Sequence, residues 1–213
     1  MNKNHLQLVL FIGAIWGFCE AALGIYVKGV CGYQMTGSVM TAFAMFFMAI
    51  GYTLSRKHTS LIYMLLLAIL LKITSAFLLG KPLIGGGVAN PVYAFITEAL
   101  SLAIIFYLIG EINGKNVIKN SIYGGLATLL AVNLFPFVGT FTGNIACNTN
   151  NYPWALLYAP VSVGMSLVLF PLAIYLGDIL REKAEILETN KMALVVVRVS
   201  IVFIIFLSIY AAK

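Results

Sequence analysis

Long apolar runs alternate with short polar breaks along almost the whole chain. A helix needs about 20 apolar residues to cross the hydrocarbon of a bilayer. Seven runs reach that length: 6–27, 36–55, 59–79, 91–111, 117–138, 153–178 and 192–211. The fifth is the weakest, because Gly124, Gly125, Asn133 and Pro136 interrupt it. The pattern therefore predicts an all-α fold, a polytopic membrane bundle of six to seven transmembrane helices. The connections are short, so residues 1–213 form a single membrane domain. The longest polar stretch, 178–191, mixes Asp178, Arg181, Glu182, Lys183, Glu185 and Glu188, and reads as a solvated helical extension of the sixth span.

Composition agrees with this pattern. The chain is 62% hydrophobic and only 9% charged, where a soluble domain is about one quarter charged. The net charge of +6 does not point to nucleic acid, because the basic residues lie singly or in pairs between apolar runs. There they set orientation. Lys3, Arg56, Lys57, Lys115, Lys119, Arg181, Lys183 and Lys191 fall on one side of the predicted topology, and only Lys28, Lys81 and Lys213 on the other. The first set marks the cytoplasmic side, so the N-terminus is expected inside and the protein in the cell (inner) membrane. A cleaved signal peptide is not expected: Phe18 is too bulky for a lipoprotein cleavage site before Cys19.

Four ionisable residues lie inside predicted spans: Glu20, Lys72, Glu98 and Arg198. Charges in hydrocarbon are costly and mark functional sites by default. Glu20, Lys72 and Glu98 each lie seven residues from the outer end of their span, about 10 Å below the outer surface. The expected arrangement is a buried cluster with Lys72 between the two carboxylates. It is either a helix-locking ion network or a substrate pocket open to the outside. Arg198, six residues from the inner end of the last span, reaches the inner surface by snorkelling. Asn133, Asn90 and Trp16 are secondary pocket candidates. The Gly-rich connection 80–91 lacks the Gly-Lys-Ser/Thr ending of a phosphate loop.

Gly13, Gly17 and Ala21 recur every four residues on the first span, a spacing that lets another helix approach closely. That helix belongs either to this bundle or to a partner subunit. Phe18-Cys-Glu20-Ala-Ala-Leu resembles Ile96-Thr-Glu98-Ala-Leu-Ser, 78 residues further on. The two runs would cross in opposite directions, as in an inverted repeat. Cys31 and Cys147 both fall in predicted outer loops, where they either form a disulfide or stay as free thiols. His5 and His58 have no metal-ligand spacing to other residues. No zinc-protease helix motif, nucleophile elbow or paired haem histidines are present, so neither an enzyme, a metal nor a cofactor is expected.

The small membrane-only chain, the Gly13-x-x-x-Gly17-x-x-x-Ala21 stripe, and the segments Leu71-Lys72-Ile-Thr-Ser75 and Asn90-Pro91…Glu98-Ala99 resemble the substrate-binding S component of energy-coupling factor (ECF) vitamin transporters. The resemblance covers roughly the first six spans. It implies six helices around one small molecule near the outer face, such as a vitamin or precursor. It also implies a transmembrane coupling subunit docked on small residues, here Gly13, Gly17 and Ala21, and driven by ATPase subunits. The seventh span is additional to that plan. Two other functions fit the residues: a proton-coupled secondary transporter built from inverted repeats, and a non-catalytic membrane subunit of a larger complex.

Overall fold

In a computed structural model of the chain, the backbone is described for residues 3–78, 80, 82–83, 86–109, 112, 114–142, 152–187 and 191–211. Side chains are described for 5–21, 35–77, 80, 82–83, 88–109, 112, 114–137, 159–184 and 194–207. The fold is an all-α bundle of α1 (Lys3–Ser55), α2 (Thr59–Leu78), α3 (Gly86–Ile109), α4 (Val117–Thr142), α5 (Tyr152–Leu187) and α6 (Lys191–Ala211). Five segments are long and apolar enough to cross a membrane: Met35–Ser55, Thr59–Phe77, Val88–Ile109, Val117–Phe137 and Ala159–Ala184. Two shorter apolar segments, His5–Ala21 and Leu194–Leu207, accompany them.

Helical backbone runs through 28–35, where the sequence predicts a loop. Yet α1 cannot be one straight rod. Gly13 abuts the backbone of Met64 at 3.3 Å, and Gly51 abuts the Met64 sulfur. At about 1.5 Å per residue, a straight helix would hold those two glycines about 57 Å apart. The chain therefore reverses, and α1 consists of two antiparallel legs, His5–Ala21 and Met35–Ser55. The reversal falls between Glu20 and Thr41, which both act on Glu98; the side chains of 22–34, Lys28 and Cys31 among them, lie outside the described residues. Cys147 lies outside them too, so the proposed disulfide is not addressed.

Helix directions follow from the contacts. Gly13 meets Met64 and Gly17 meets Leu71, so the first leg and α2 run the same way. The short 79–85 connection returns α3 antiparallel to both. α4 and α5 are antiparallel and close: Gly124 lies against Phe170, and the Thr128 and Ser166 hydroxyls share a hydrogen bond at 2.7 Å, with Thr128 donating to Gly124 O. Small residues that admit close approach, with interhelical hydrogen bonds, hold helices together where lipid removes the hydrophobic drive. The second leg packs on α5, where Gly177 faces Thr53. α5 continues helically past Asp178 to Leu187, as the polar extension predicts.

The core is apolar and aromatic. Trp16 and Phe95 meet edge to face at 5.2 Å, and Tyr52 stacks on Phe106 at 3.8 Å. The outside is apolar as well. Ile62, Leu66, Leu70, Ile73 and Phe77 form an exposed stripe on α2, and Val195, Val199, Val202 and Phe206 one on α6. Apolar stripes of this extent are stable only against lipid or protein.

One end of the bundle gathers the basic residues. Arg56 closes α1 in the left-handed region, at φ 53°, and its N–H donates to Tyr52 O at 2.6 Å. A non-glycine residue here costs about 1–2 kcal/mol. Its side chain offsets that cost by donating to the Ile112 carbonyl and pairing with Asp178. Gly114 lies beside the same carboxylate: a Cβ there would stand 2.5 Å from Asp178 Oδ2. The 56–58 turn, Ile112 and Gly114 between α3 and α4, and the C-terminal third of α5 thus meet at this end, which also carries Lys57, Lys115 and Lys119. At the start of the first leg, the Gln7 side-chain oxygen accepts from two Arg198 nitrogens at 2.9 and 3.2 Å. Arg198 is exposed on α6.

Candidate functional site

The bundle brings Glu20, Lys72 and Glu98 within electrostatic range of one another from three different elements. Local packing explains how. Gly17 has no side chain to separate the first leg from Leu71, so Glu20, one turn further along, comes level with the neighbouring Lys72. The first leg and α3 run in opposite directions.

Within the cluster, Lys72 acts on the Glu20 carboxylate, and Glu20 in turn acts on Glu98.

Glu98 is the most enclosed of the three, at 3% exposure. The Thr41 hydroxyl, on the second leg of α1, donates to its carboxylate, while Oε2 has no hydrogen-bond partner. Trp16 is fully buried, and its indole N–H lies close enough to Glu20 to act on it without closing a hydrogen bond of normal geometry. Ser101, one turn beyond Glu98 on α3, is fully buried with an unpartnered hydroxyl. Buried polar groups are almost always satisfied. Unpartnered atoms on Trp16, Glu98 and Ser101 therefore mark a polar spot inside an apolar bundle. The Trp16–Phe95 pair forms an aromatic wall beside it.

The other predicted residues fall elsewhere or act differently. The Asn133 amide donates to Leu129 O of its own helix at 2.7 Å, so its polarity is consumed locally. Asn90 is half-buried in the first turns of α3, two turns before Glu98. Gly13 and Gly17 pack against α2 of this same chain. Of the two alternatives the stripe allows, Gly13 and Gly17 follow the first, packing within this bundle. Ala21 is half-buried at the end of the first leg. Thr41 was not foreseen. A single threonine in an apolar span carries no signal until its helix is placed beside Glu98.

Comparison with protein-family models, with curated proteins and with solved structures finds no match for this chain.

Proposed function

We propose that this chain is the membrane-embedded, substrate-binding subunit of an importer for a small molecule, similar in role to ECF S components. The observation that carries the reading is the enclosed Glu20–Lys72–Glu98 cluster with its unpartnered Glu98 Oε2. A network that only locked helices would be expected to satisfy every buried polar atom, since a half-satisfied one destabilises. With the basic end cytoplasmic, the cluster lies toward the outer half of the membrane. A coupling subunit would dock on an outward apolar stripe, such as that of α2, rather than on the Gly13–Gly17 face.

A proton-coupled secondary transporter is the second reading. Two carboxylates in one low-dielectric site readily share a proton, and the Glu20–Glu98 pair has that form. The helix pairing gives its inverted-repeat architecture no support. A two-fold relating α1 and α2 to α3, α4 and α5 would match the contact of the second leg with α5 by one of α4 with α2. Among the described residues, α2 and α4 do not touch.

Native mass spectrometry on gently purified protein separates the readings. A bound small molecule together with coupling and ATPase subunits supports the importer. An isolated chain that drives proton-dependent uptake in vesicles supports the second reading and removes the first.

A further inference from the structure

We infer that the molecule taken up at the Glu20–Lys72–Glu98 cluster is an organic cation, a protonated amine that docks between Glu98 and the Trp16–Phe95 aromatic pair. This rests on the reading of the cluster as a binding pocket.

The described groups of the cluster carry two carboxylates against one ammonium. Lys72 acts on Glu20, while Glu98 faces the Thr41 hydroxyl and the Glu20 carboxylate. What Glu98 lacks is a donor: its Oε2 is buried and unpartnered. A carboxylate buried to 3% exposure requires a positive or hydrogen-donating partner. An ammonium group supplies three donors on one charge, enough to bridge Glu98 and Glu20 together. Trp16 beside Glu20, and Phe95 one turn before Glu98, bring two aromatic rings to the carboxylates, and such rings stabilise an organic cation that lies over their faces. A hydrated metal ion fits less well. Hard cations need six or more oxygen ligands, and no three His, Cys, Asp or Glu side chains converge to hold a metal among the described residues. An anionic ligand would bring a third negative charge to Glu98 and Glu20.

The test uses the full-length purified chain and three probes of one shape: 2-phenylethylamine, 2-phenylethanol and 3-phenylpropionate. The amine should raise the melting midpoint by about 5–10 °C at about 100 times its dissociation constant. The alcohol and the acid should not, and Glu98→Gln should abolish the protection. Glu98→Gln keeps the shape of the side chain, and its own midpoint without probe reports whether it folds. Equal protection by all three probes, best protection by the acid, or amine protection that survives in Glu98→Gln overturns the cation assignment and leaves the pocket standing. Protection by sodium chloride equal to that by the amine also overturns it. If no probe protects, the molecule that co-purifies decides: a cationic one upholds the inference, and a neutral or anionic one removes it. No protection and no co-purifying molecule would remove the pocket reading itself.

Discussion

Arg56 and Asp178, 122 residues apart in sequence, form an ion pair that ties the end of α1 to the C-terminal third of α5. Arg56 also donates to Ile112 O, so one guanidinium fastens three connections at the basic end. Both side chains are about one third exposed (27% and 32%), and water screens part of the attraction. Asp178→Asn and Arg56→Gln are each expected to lower stability by about 1–2 kcal/mol. The double variant should lose little more than either single one. Chemical denaturation of all four proteins in detergent gives the cycle, and additive losses would show that the pair does not couple.

The folded-back α1 makes a geometric prediction. In a background freed of native cysteines, Gly13→Cys with Met64→Cys and Gly51→Cys with Met64→Cys should each cross-link with a short bifunctional thiol reagent. Both glycines lie against Met64. A continuous straight helix would allow at most one of the two, so a single productive pair would refute the reversal.

At the α4–α5 contact, Thr128 bonds to Ser166 at 2.7 Å and Gly124 lies against Phe170. Thr128→Val should cost about 0.6–1.7 kcal/mol, the range for hydrogen bonds between membrane helices. Gly124→Leu should cost more, because the new side chain must displace a fully buried phenylalanine. Thermal melts that rank the two variants in the opposite order would mean that the helices are not in close contact there.

Much of the fold was legible in the sequence for a physical reason. A bilayer demands apolar runs of a set length, and such runs show without any knowledge of packing. The reversal between 6–27 and 36–55 was legible for the same reason, although the backbone around it is helical. The titratable members of the site were legible because charges are rare in apolar spans. Thr41 and Ser101 were not. They depend on which face of each helix turns inward, and spans that are apolar on all sides carry little periodic signal. The small-residue stripe of the first span showed a close approach but not its partner. The same spacing serves a helix of this chain and a helix of another, and only the contacts of Gly13 and Gly17 with α2 distinguish them.

The cluster itself permits a test that separates its structural from its functional role. Lys72 is the cation acting on Glu20, and Glu20 acts on Glu98. Lys72→Ala leaves two neighbouring carboxylates in an apolar bundle without that charge. Removing one partner of a buried ion pair costs about 3–5 kcal/mol, whereas replacing the whole set by apolar residues of similar volume is far less damaging. A triple variant, Glu20→Leu, Lys72→Met and Glu98→Leu, should therefore melt above Lys72→Ala. It should also have lost any ligand that the wild-type chain retains through purification. The two halves fail independently. A Lys72→Ala protein as stable as wild type would mean that the ammonium does not compensate the carboxylates. A stable triple variant that still retained the ligand would leave the cluster a packing feature and move the binding site elsewhere in the bundle.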